Sequence, residues 1–156
     1  PTSRLHPHFC RPELERLLAR HGIRYRWAEH LGGRRKLRSE AGQSELGLRS
    51  PGLRAYAQHM RSAEFRSAIE EVVGLARSAR LALMCAERLF FRCHRMLISD
   101  YLLSQGHTVI HIDSVGRASP HRLTRMAKLT ADGPIYPPQP DGAGLWPDRP
   151  DRRGTD

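Results

Sequence analysis

Hydrophobic residues recur at helical spacing in four places along the chain. Leu14, Leu17 and Leu18 form one stripe between Pro12 and Gly22, which predicts a helix over 12–21 opened by the proline and stopped by the glycine. Ser50-Pro51 reads as an N-cap and first turn, opening a second helix to about Met60. Ser62 caps a third, in which Phe65, Ile69, Val72 or Val73, and Ala76 face one side and are expected to pack on a sheet. A fourth spans about Arg92 to Gln105 and ends at Gly106. Between the helices lie strand-like runs. Ile23 to Trp27 alternates apolar residues with Arg24 and Arg26, as near a sheet edge. Arg80 to Met84 contains the unbroken run LALM, suited to a parallel strand buried on both faces. His107 to Ile112 alternates again, with His107 and His111 expected as half-buried structural residues. Strand, helix and strand over 80–112 then form a right-handed βαβ unit, and Pro120 to Lys128 a short helix or turn over the sheet end. The expected fold is α/β: a small three-layer Rossmann-like arrangement with a mostly parallel sheet.

This pattern stops near residue 132. Pro, Gly, Asp and Arg dominate from Gly133 onward, so the chain divides into an α/β domain over 1–132 and a disordered tail over 133–156. No internal repeat interrupts it. At 156 residues, one domain with a modest core is expected. No apolar run approaches a membrane span, and a cytoplasmic location with no membrane partner is the expectation.

Charge adds a second possibility. The net charge is +10, and arginine carries nearly all of it, since lysine occurs only at Lys36 and Lys128. The excess lies before residue 81, above all in the loop 34–38 with Arg34, Arg35, Lys36 and Arg38. A polyanionic partner would explain that loop, and so would a GC-rich genome writing Arg for Lys.

The chemistry concentrates where the LALM run ends. Cys85 closes that run, Glu87 follows, and Arg92, Cys93, His94 and Arg95 open the next helix. In α/β proteins ligands sit at the carboxyl ends of strands. A thiol at such a junction, near arginines and a helix N-terminus, ionises readily, and it can equally serve as a small apolar filler. Glu87 is a candidate general acid or base, or a partner for Arg92 or Arg95. Two arginines at a helix N-terminus oppose the helix dipole, and a bound anion would relieve that conflict. A cysteine-phosphatase loop is excluded, because Phe91 stands six residues after Cys85 and no glycine lies between Cys85 and Arg92. No metal is expected, because adjacent Cys93 and His94 in a first helical turn would point to different sides. The three cysteines, Cys10, Cys85 and Cys93, fit no disulfide scaffold and are expected reduced.

The pattern MCAE…RCHR…LI also resembles the signature of a bacterial family, the domain of unknown function 488. HPHF at His6 to Phe9, GIRY at Gly22 to Tyr25, LGGRRK at Leu31 to Lys36, LRAYAQHMRSAEF at Leu53 to Phe65 and PHRLT at Pro120 to Thr124 agree with it in order. The resemblance implies a compact α/β fold and no particular activity. It makes Gly32, Gly33 and Arg34 a motif whose glycines let backbone approach a ligand. Family members typically place a strand, a helix and a strand, roughly 30 residues, before the block found here at Pro1 to Phe9. That segment is therefore expected to be absent.

Two functions follow as expectations. In the first, a pocket at Cys85, Glu87, Arg92 and His94 accepts a small anion or nucleotide, with Cys85 and Glu87 catalytic in a thiol-dependent enzyme and Arg92, Cys93, His94, Arg95, Gly32, Gly33 and Arg34 binding the ligand. In the second, the chain is a non-catalytic accessory protein that binds nucleic acid through the loop 34–38. The pattern specifies no cofactor for either.

Overall fold

A computed structural model describes residues 7–36 and 45–138. Arg38 of the basic loop, His6 of the HPHF block and the tail beyond residue 138 lie outside them. The chain forms two compact units, Pro1–Gly32 and Gly33–Asp156.

The first unit holds a short 3-10 turn, Pro7–Phe9, and helix α1, Arg11–Arg20. Proline in the first turn of α1 costs no hydrogen bond, because the first amides of a helix lack intrahelical partners. Gly22 ends the helix region with φ 69°, a left-handed conformation that glycine adopts without strain. Ile23 to Ala28 has no ladder partner among the described residues, and the expected strand at 23–27 is not formed with them.

The second unit is built on helices. Helix α2, Pro51–His59, and helix α3, Ala63–Ala76, start where the sequence signals placed them. Ser50 Oγ accepts from Leu53 N at 3.4 Å, and Ser62 Oγ from Phe65 N at 3.2 Å. Phe65, Ile69 and Val72 are the buried face of α3. That face meets helices instead of a sheet: the Phe65 ring lies edge-on to Tyr56 of α2 and to Tyr101 of helix α4, Arg95–Ser104. Helix α4 is the centre of the unit. Met96, Leu97, Ile98, Ser99, Asp100 and Leu102 are all buried, as in a helix enclosed on most sides.

The sheets are small and antiparallel, which corrects the expectation of a parallel Rossmann-like sheet. Strand β1, Ile110–Ser114, pairs with β2, Arg117–Pro120, and β3, Lys128–Thr130, pairs with β4, Gly133–Ile135. Residues 80–85 belong to no ladder, so the βαβ unit over 80–112 is not formed. A parallel strand exists only through neighbours on either side, and no described segment pairs with this run. Leu81 and Met84 are consequently exposed. Strand β1 also turns its alternation inside out. Ile110 and Ile112 face solvent and His111 is buried. The segment 120–128 is no helix: it continues from β2 through a turn into β3. Ordered packing runs past the expected boundary at residue 132, since β4 lies against α4 and the Tyr136 side chain is fully buried. The result is a mixed α/β fold with helices at its core. No helix of the described residues is long and apolar enough to cross a membrane.

Candidate functional site

The segment 85–95 loops back on itself. A 3-10 turn, Phe90–Arg92, precedes Cys93, whose backbone is extended at φ −135°, ψ 172°. His94 then caps α4, which begins at Arg95. The helix therefore starts three residues later than expected. This shift matters for geometry. Residues of one helical turn fan out around the axis, but an extended residue followed by a cap can present neighbouring side chains together. Cys85 Sγ, Cys93 Sγ and a ring nitrogen of His94 lie within 4.8 Å of one another. Cys93 and His94 therefore converge instead of pointing to different sides of the helix. Cys93 is buried, while Cys85 and His94 are half-buried.

Hydrogen bonds hold this cluster. The Glu87 amide donates to Cys85 Sγ at 3.4 Å. Arg95 donates to Cys93 Sγ twice, from its backbone N at 3.4 Å and from Nε at 3.2 Å. The Arg95 Nη2 group also bonds the carbonyls of Glu87 and Arg88, the latter at 3.0 Å. One guanidinium thus clamps both ends of the loop. The Glu87 carboxylate accepts from the Leu89 amide at 3.1 Å, so it closes the turn and forms no ion pair with Arg95. Arg92 is exposed on the turn.

The two thiols are unlike. The Cys93 thiol beside Cys85 stabilises a Cys85 thiolate, as do His94 and the Glu87 amide, and together they lower its pKa against the opposing effect of burial. Cys93 is pushed the other way, by Cys85 first and then by burial, with Arg95 opposing. Deprotonation is thus favoured at Cys85, the more accessible sulfur, and disfavoured at the buried Cys93.

Gly33 completes the cluster. A Cβ there would lie 2.4 Å from His94 Nδ1 and 2.8 Å from Cε1, closer than any real contact. The glycine backbone thus lies against the imidazole, and the Tyr56 ring lies tilted to that imidazole at 5.0 Å between centroids. Burial raises the Tyr56 pKa, so its phenol stays protonated. Gly32, the last residue of the first unit, has its nearest contact with Glu29 O. In the basic loop, Arg34 and Lys36 are exposed, but Arg35 Nη2 reaches His59 Nε2 at 3.2 Å. Part of that loop's charge therefore points into the unit.

A second cluster escaped the reading of the sequence. Asp100 in α4, with no exposed surface, takes His121 Nε2 at 2.9 Å and the Thr124 amide at 2.8 Å on Oδ1, and the Tyr136 hydroxyl at 2.9 Å on Oδ2. His121 Nδ1 lies 2.9 Å from His111 Nε2. In the tautomer whose Nε2–H donates to Asp100, His121 accepts on Nδ1 from His111 Nε2–H. Burial, and then His121, lower the His111 pKa to about 4. The Phe90 ring stacks on His111 at 3.4 Å and 8°, which joins this network to the turn carrying the cysteines. His121 and Thr124 sit in the PHRLT block, the one available signal, but nothing local in that block points to Asp100.

A family model described as Domain of unknown function DUF488 matches residues 1–102. No curated protein matches the chain. No solved structure matches it either.

Proposed function

The chain belongs to the family described as Domain of unknown function DUF488, a membership that specifies no reaction, and we propose from the site itself that Cys85, Cys93 and His94 are the working centre of a thiol-dependent protein acting on a small anionic or carbonyl-bearing ligand. The observation that carries this reading is the convergence of the three side chains within 4.8 Å at a half-exposed loop. Cys85 supplies the nucleophilic sulfur. Cys93 and His94 supply hydrogen bonds to it. Arg95 is a positioning residue that holds the loop carbonyls of Glu87 and Arg88 and orients Cys93. Glu87 likewise acts by position, through its amide on Cys85 and its carboxylate on Leu89. Arg92, exposed beside the turn, is the residue available to a ligand's negative charge.

Competitive alkylation tests this. With limiting iodoacetamide at neutral pH, metal-free protein should be modified at Cys85 about tenfold faster than at Cys10. Added inorganic phosphate should slow Cys85 alone, and Arg92→Ala should weaken that protection. Equal rates at the two thiols would defeat the reading.

A further inference from the structure

We propose that Cys85, Cys93 and His94 form a zinc site with one open coordination position. The inference rests on the same cluster as the thiol reading, but not on Cys85 acting as a nucleophile.

Donor chemistry selects the ion. Two sulfurs and an imidazole are the ligands that favour zinc over magnesium or calcium, which take oxygen. Zn–S bonds of about 2.3 Å and Zn–N bonds of about 2.0–2.1 Å put tetrahedral donors roughly 3.5–3.8 Å apart. The three atoms here already lie within 4.8 Å, so closure around an ion takes a movement of about 1 Å. Side-chain rotation of half-buried Cys85 and His94 can supply it, while Cys93 stays fixed by burial. Zinc binding would release the proton of the cysteine pair to solvent, and two thiolates, a neutral imidazole and Zn²⁺ then sum to zero charge.

The surroundings are those of a metal's outer shell. Hydrogen bonds from N–H groups to the ligand atoms, and packing that holds the ligand rings, support such sites from outside. Cys93 Sγ has two N–H donors from Arg95, Cys85 Sγ has the Glu87 amide, and the His94 ring has the Gly33 backbone and Tyr56 as neighbours. Gly33 is explained on these terms: any larger residue would displace the imidazole. Glu87, whose carboxylate is turned to the Leu89 amide, is not a fourth donor. Three protein ligands leave the fourth position for water or a small anion, as in zinc sites that act as Lewis acids.

The test uses the full chain, stripped by chelator and reconstituted with Zn²⁺ or Co²⁺ alone. One metal per chain is expected, and the cobalt form should show thiolate-to-cobalt charge-transfer and tetrahedral ligand-field absorption. Cys85→Ser, on the half-exposed loop, should weaken zinc by at least about 100-fold, His94→Gln comparably, and Arg95→Ala by about tenfold. Cys10→Ser should leave affinity unchanged, and Cys93→Ser is a supporting variant only, since its thiol is buried. Stoichiometry far below one, a cobalt spectrum without thiolate bands, or equal loss in Cys10→Ser would overturn the zinc site. Fast alkylation of Cys85 in the metal-free protein alongside absent zinc binding would leave the thiol reading standing alone. Zinc binding with ordinary Cys85 reactivity would do the reverse.

Discussion

One helix carries two clusters of ionisable side chains, and they are built on opposite terms. At its start, Cys93 and His94 meet Cys85 on a loop open to solvent. Within it, Asp100 lies in the core with both carboxylate oxygens bonded. The Asp100 network gathers residues far apart in sequence and satisfies them. The cysteine cluster gathers residues nine positions apart or fewer, apart from Gly33, and favours ionisation at an accessible sulfur. A closed buried network rigidifies a fold, whereas an accessible group with a shifted ionisation suits chemistry. Phe90, stacked on His111, lets the Asp100 network brace the loop of the cysteine cluster.

The sharpest break in this comparison is Asp100→Ala. It strands the His121 ring, the Thr124 amide and the Tyr136 hydroxyl in the core, and should cost about 3–5 kcal/mol in denaturant unfolding. A loss under about 1 kcal/mol would remove the distinction between the clusters. Acid should act through His111 next. Its folded pKa is lowered to about 4, against about 6.5 for an unfolded histidine. The unfolded chain therefore binds more protons between those values, so stability is present above about pH 6.5 and falls as pH drops toward 4, by up to about 3 kcal/mol. His111→Gln should flatten that slope in unfolding measured across the window; an unchanged slope would place the titration elsewhere.

Gly33→Ala comes third, because a Cβ 2.4 Å from His94 Nδ1 forces the ring aside. A cost of about 1–3 kcal/mol is expected, together with a several-fold change in Cys85 alkylation rate. Stability loss without any change at Cys85 would show that the glycine serves packing alone. The smallest expected effect on stability is that of Cys85→Ser, within about 0.5 kcal/mol, with the fast alkylation abolished. A large destabilisation there would make Cys85 a core residue.

All four helices were legible, and three of them from their starts, because those signals are local. Pro12, Ser50-Pro51 and Ser62 mark helix starts by chemistry that needs only the next few residues. The strands were not legible in the same way. IRYRW at 23–27 and LALM at 81–84 carry strand-like composition, yet a strand needs a partner, and no described segment provides one. Cys85, Cys93, His94 and Arg95 stood out in the sequence by residue type, and the structure brings them together in arrangements the sequence does not spell out. Arg95 clamps carbonyls and a thiol, and Glu87 closes a turn.

By itself, the sequence determined the helix boundaries at these capped starts, the cluster of thiols and imidazole near residue 90, and the family, because each is written in contiguous residues. Only the tertiary structure decided that Cys93 is extended and so shares a site with His94 and Cys85, that Gly33 seats the imidazole, and that Asp100 is the hub of the core. Those facts depend on which distant segments come to share one small volume. Asp100 reads as an ordinary helix-surface carboxylate until His121, Thr124 and Tyr136 close around it.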